Sequence, residues 1–69
     1  MTYEEWLEHR TVCDPNILSG TRVFQGSRLS VGLLGRRAVI EGYDVVMEDY
    51  PYLSGEDIGF ATIYVDRNK

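Results

Sequence analysis

The stretch from Asp14 to Val31 constrains this chain most. It reads Asp-Pro-Asn-Ile-Leu-Ser-Gly-Thr-Arg-Val-Phe-Gln-Gly-Ser-Arg-Leu-Ser-Val and holds two Gly-[Thr/Ser]-Arg-apolar units, opening at Gly20 and Gly26, just before a helical pattern. Glycine permits tight turns, and β-branched and aromatic side chains suit short strands. Asp14-Pro15-Asn16 reads as a turn in which proline fixes φ and the Asx side chains bond nearby backbone. The expectation is a brief extended piece at Thr11 to Cys13 and a second at Arg22 to Phe24. Gln25-Gly26 then forms a two-residue turn into Ser27-Arg28-Leu29, a small β-hairpin. Each unit carries an arginine at the same offset, so Arg22 and Arg28 stand as a recognition element on a small scaffold.

Helical signals flank this element. Thr2 followed by Glu5 is a capping-box pattern, with Tyr3, Trp6, Leu7 and Arg10 on one face, which predicts a helix from about Thr2 to His9 anchored by Trp6. Ser30 is placed to cap a helix over Val31 to Glu41, and Gly42 to stop it. On that helix Val31, Leu34 and Ala38 form one stripe while Leu33 and Ile40 lie opposite, so it is expected to be covered on two sides. Asp44 is expected to cap a short helix through Val45, Val46 and Tyr50, ended by Pro51. Ser54, with Asp57 three residues on, opens a last helix to about Arg67. Its core stripe is Ile58, Ala61 and Val65; Phe60, Ile63 and Tyr64 form a second side with no evident intramolecular partner, and such a surface usually marks a contact site.

The net charge of −4 conceals an asymmetry. Residues 1–40 carry Arg10, Arg22, Arg28, Arg36 and Arg37 against four acids, whereas residues 41–69 carry seven acids against Arg67 and Lys69. An anionic partner therefore belongs to the stretch from Arg10 to Arg37. At 69 residues a single core gives marginal stability, so a partner or a second copy is expected, here a homodimer. One cysteine excludes an internal disulfide; no apolar run spans a bilayer and no signal segment opens the chain, which gives the expectation of a cytoplasmic protein without membrane attachment.

Chemistry is poorly provided for. With only His9 and Cys13 there is no nucleophile-base-orienter set, no spaced zinc ligand set and no phosphate-cradling loop, so the chain reads as a non-enzyme with no cofactor and no metal. His9 is expected at the surface and Cys13 as a small buried apolar group. Arg28 has two readings: it fastens the hairpin by pairing with Asp57 or Glu48, or it meets a partner.

Several motifs stand in family order: Asp14-Pro15, Gly20, Val23, Gly26-Ser27-Arg28-Leu29-Ser30-Val31, Tyr50-Pro51-Tyr52-Leu53-Ser54, Glu56-Asp57-Ile58, Ala61 and Tyr64. From about residue 11 to 65 the chain resembles the bacterial and archaeal family called domain of unknown function 433, often described as antitoxin-like. It departs from the family pattern at Thr21-Arg22, where relatives have Lys-Pro, at Gly59, and in a shorter Gly42 to Pro51 segment. The resemblance implies one mainly α domain over residues 1–69: a homeodomain-like helix-turn-helix three-helix set with a short N-terminal helix and a small β-hairpin. It also implies an antitoxin that neutralises a PIN-like ribonuclease toxin by protein contact. Such an antitoxin silences the toxin by placing a cation among its metal-binding carboxylates. Arg22, Arg28, Phe60, Ile63 and Tyr64 are the expected partner-binding residues. The alternative is a dimeric helix-turn-helix regulator that holds operator DNA through Arg10, Arg36 and Arg37, with Arg22 and Arg28 also available.

Overall fold

The structure, a computed structural model, describes residues 1–16 and 20–68, and among these the chain is mainly helical. Helix α1 (Tyr3–Arg10) begins where the sequence places it: the Glu5 amide donates to Thr2 Oγ1 and the Thr2 amide to Glu5 Oε1, a reciprocal cap. Trp6 is fully buried on its inner face, flanked by the half-buried Tyr3 and Leu7. Strand β1 (Thr11–Cys13) follows directly, and the Asn16 amide donates to Asp14 Oδ1 at 2.8 Å in the expected Asx turn.

Strand β2 (Arg22–Phe24) has its expected limits but a different principal partner. It pairs antiparallel with β1, in the register Thr11 to Phe24, Val12 to Val23 and Cys13 to Arg22. The segment after the turn approaches β2 through one bridge, Val23 to Ser30, and through the Phe24 amide donating to the Leu29 carbonyl. Pairing with Thr11–Cys13 sets Phe24 in the core against Trp6, with ring centroids 6.0 Å apart, an apolar gain that a hairpin limited to residues 22–29 does not offer. Cys13, expected inside, is exposed because it lies at the outer end of β1.

Helix α2 (Val31–Glu41) is capped by Ser30, whose Oγ accepts from the Leu33 amide, and it stops at Gly42, where φ is +100°. Helix α3 (Tyr43–Asp49) restarts at once, so Gly42 and not Asp44 is its N-cap. Asp44 already has helical backbone, and its carboxylate contributes instead through the favourable charge of a first turn. Pro51 follows the end of α3, and Leu53 is buried ahead of helix α4 (Gly55–Arg67), which Ser54 and Asp57 cap reciprocally.

Val31, Leu34, Ala38, Val46, Ile58 and Ala61 form the core with Trp6 and Phe24. Helices α2 and α4 meet most closely at Gly35. A Cβ there would lie 2.6 Å from Val65 Cγ2 and closer still to the Ala61 carbonyl oxygen, so only glycine lets the two backbones approach this far. The second side of α4 is not free of partners as expected. Phe60 stacks on Trp6 with centroids 5.3 Å apart and meets Tyr3 at 6.1 Å, and Tyr64 also packs against the core. Helix α1 crosses that side and supplies the aromatic surface that covers it. Ile63 stays exposed. On α2 the protomer covers one side alone; Leu33, Val39 and Ile40 face solvent.

Candidate functional site

The arginines expected to mark a site divide into those the fold uses and those it leaves free. Arg10, at the end of α1, reaches the N-terminus of α4. Its Nη2 donates to Asp57 Oδ2 at 2.9 Å and its Nε to Oδ1 at 3.3 Å. Trp6 Nε1 donates to the same Oδ1 at 2.9 Å and the Ser54 amide to Oδ2 at 3.2 Å. Asp57 is 1 % exposed. Burial on its own pushes that carboxyl up, but Arg10, Trp6 and the Ser54 amide outweigh it and hold the group below its usual range. One carboxylate therefore joins α1 to α4 while capping α4, and Asp57 is taken by Arg10, not by Arg28.

Two further arginines are occupied. Arg22 Nη1 donates to Thr11 Oγ1 at 2.9 Å, across the β1–β2 pair. Arg37 bonds Glu41 one turn along α2 and Asp49 at the end of α3, and these acids hold it firmly protonated. Arg67 closes the other end of the α1–α4 contact, 4.5 Å above the Tyr3 ring and 3.7 Å from Glu4.

Arg28 and Arg36 are different. Both are exposed, and neither makes a hydrogen bond or ion pair among the described residues. Arg28 sits beyond the turn closed by Ser27 amide donation to the Phe24 carbonyl, where Gly26 takes φ of +75°, a value that side chains rarely adopt. Ser27 Oγ accepts from the Leu29 amide and donates to the Phe24 carbonyl, so the backbone on both sides of Arg28 is fixed while its guanidinium projects unused. Arg22 and Arg28 therefore form no matched pair: one is tied to β1, the other stands free beyond the far end of β2.

Arg36 lies within the exposed apolar side of α2. A groove between α2 and α4 is lined by Arg36, Val39, Ile40, Thr62, Val65 and Asp66. The alternating apolar positions of α2 announced this side in the sequence; that Arg36 would be its unpaired charge while Arg37 is neutralised was not readable there. Equally invisible was the Arg10–Asp57 link, whose residues stand 47 positions apart. His9 is exposed, as expected. No group of three or more His, Cys, Asp or Glu side chains among the described residues is arranged to hold a metal ion. No helix among them is long and apolar enough to cross a membrane.

No curated protein and no solved structure matches the chain. One family does: its model matches residues 12–65, from β1 through nearly all of α4, and so takes in the Gly26-Ser27-Arg28 turn and the Ser54–Asp57 cap alike. The chain belongs to the family described as protein of unknown function (DUF433).

Proposed function

We propose that this protein is a binding module of the antitoxin type, which neutralises a PIN-like ribonuclease by direct contact in the cytoplasm. Arg28 is the residue that reaches the nuclease. The observation that carries this reading is the free Arg28 guanidinium on a turn whose backbone is fixed on both sides. A planar cation of this kind forms paired, charge-assisted bonds to carboxylates, and a nuclease that gathers metal through clustered carboxylates presents such groups. Preorganisation matters because a rigid turn loses little entropy when it docks. Arg22 supports the element from below through Thr11, and Ile63 extends the contact with exposed apolar surface; Phe60 and Tyr64 act through the packing that holds α4.

We also read α2, α3 and α4 as a homeodomain-like helix-turn-helix set, on the strength of three consecutive helices with a short middle member. Operator binding by that set has less support. The leading turn of α4 carries Glu56 and Asp57, Asp57 is buried against Arg10, and Arg37 is already paired with acids. Phosphate contact needs free cations, and a helix meeting bases needs donors at its leading end.

The test is a titration. The protein encoded by the adjacent reading frame is incubated with RNA and increasing amounts of this purified chain, and cleavage is followed. Stoichiometric loss of cleavage supports the reading. Unaltered cleavage, with salt-sensitive binding to operator DNA instead, favours the regulator.

A further inference from the structure

We propose that the pocket between the end of α1, the Gly26-Ser27 turn and the Tyr52-Leu53 segment seats one carboxylate side chain of a protein partner, taken by the free end of the Arg10 guanidinium and closed over by Arg28. This rests on the binding-module reading and deepens it, because it adds a second cation and names the group received. The pocket holds about 190 Å³, with the buried Phe24 and Leu53 as its apolar floor and the exposed Tyr52 at its side. Small-molecule sites start at about 300 Å³, so this one suits a single side chain.

The donors select the occupant. Arg10 binds Asp57 through Nε and Nη2, one edge of its planar fork, and Nη1 makes no hydrogen bond among the described residues. The outer end of the fork, Nη1 with the second N–H of Nη2, is therefore free for a second carboxylate in the paired geometry that a guanidinium favours. Asp57 fixes the fork without competing for the pocket, since its side chain is 2 % exposed and that of Arg10 50 %. Gln25 and Ser27, also in the lining, are committed, Gln25 Nε2 to the Thr11 carbonyl and Ser27 Oγ to the turn backbone. No acidic side chain among the described residues lines the pocket. Arg28 leaves the chain at the position after Ser27, its guanidinium unpaired and its stem long enough to fold over what enters. Glu56, the other acid that Arg10 senses, stands exposed on the first turn of α4. It opposes an extended polyanion more than a single carboxylate, which favours a protein over a nucleic-acid backbone.

Nuclear magnetic resonance of the isotope-labelled full chain tests this, reading backbone amides and arginine Nε–H signals during titration with blocked Ala-Glu-Ala, blocked Ala-Gln-Ala and dimethyl phosphate. The glutamate peptide is expected to saturate at millimolar concentration and to shift Gly26, Ser27 and the Nε–H signals of Arg10 and Arg28 together, while the glutamine peptide leaves them in place. Arg28→Ala, and Arg10→Lys, which keeps the charge and loses the fork, should each weaken binding about tenfold while remaining folded by far-UV circular dichroism. Signals that do not move, equal shifts at the free Arg36, equal shifts with the glutamine peptide, or binding unaltered by Arg28→Ala overturn the proposal. A stronger response to dimethyl phosphate also overturns it and assigns the pocket to a nucleic-acid backbone. The titration contains no nuclease. A silent titration beside Arg28-dependent inhibition removes the pocket and keeps the Arg28 reading, whereas saturable binding by a chain that inhibits nothing keeps the pocket and removes the nuclease.

Discussion

Replacing Gly35 by alanine sets two effects of similar size against each other, and the structure decides between them. In a helix interior alanine is favoured over glycine by about 1 kcal/mol. At Gly35 the added methyl would stand 2.6 Å from Val65 Cγ2 and 2.8 Å from the Ala61 carbonyl carbon. A side chain can turn away, but a backbone carbonyl in the middle of α4 cannot, so α2 and α4 must part by about 1 Å. A gap of 0.5–1 Å forfeits roughly a quarter to a half of each dispersion contact along the seam, and overpacking of this kind costs about 1–3 kcal/mol even where neighbours yield. Against a carbonyl that cannot yield the cost falls at the upper end, about 3 kcal/mol, and after the gain of about 1 kcal/mol we expect Gly35→Ala to lose about 2 kcal/mol net. At Gly59 the same substitution meets only the Tyr43 hydroxyl at 3.8 Å, an ordinary contact, and should gain up to about 1 kcal/mol. Urea unfolding followed by Trp6 fluorescence, at one fixed protein concentration, reads both. Each kcal/mol should also move Tm by roughly 4–8 °C. A Gly35→Ala protein as stable as wild type would refute the close approach of α2 and α4.

Further expectations concern the α1–α4 link. Asp57→Ala removes the carboxylate that accepts from the Ser54 amide, one half of the reciprocal cap, and leaves the buried Trp6 indole N–H without an acceptor, which should cost about 2–4 kcal/mol by the same unfolding assay. Asp57 is held below its ordinary range, so its contribution is complete above the unfolded value near 3.8 and lost as pH falls through the lower folded value. Glu5, lowered by the Thr2 amide and hydroxyl, acts in the same direction. Stability should thus fall below about pH 4, and Asp57→Asn should flatten part of that fall; an unchanged acid profile in the variant excludes Asp57 as a source. Phe60→Ala should lose about 2 kcal/mol by removing the ring stacked on Trp6 and Tyr3, and near-UV circular dichroism should show the altered environment of Trp6.

What the sequence showed clearly was local. Capping signals at Thr2, Ser30 and Ser54 lie three residues from the amides that donate to them, and each of these helix starts was found there. The strand limits at Thr11–Cys13 and Arg22–Phe24 followed from turn residues beside them. Misreadings came where a distant residue competed with a near one. Strand β2 prefers β1 to the segment just after its turn, Asp57 prefers Arg10 of α1 to Arg28, and Phe60 finds Trp6 across 54 positions of chain. Helical periodicity names the two sides of α4 but cannot say that α1 lies over one of them. Asp44 lost its capping role because Gly42 ends one helix and starts the next without a spacer. The free arginines had the same origin. All five in residues 1–40 were candidates, and only three-dimensional pairing separates Arg28 and Arg36 from Arg10, Arg22 and Arg37.

On the proposed function, Arg28 is held ready for a partner while Arg10 holds the fold together. Measuring nuclease inhibition and Tm side by side for Arg28→Ala and Arg10→Ala tests it most directly. We expect Arg28→Ala to keep the wild-type Tm and lose inhibition, and Arg10→Ala to lower Tm by breaking its pair with Asp57. Full inhibition by Arg28→Ala, or an Arg10→Ala protein as stable as wild type, would contradict it.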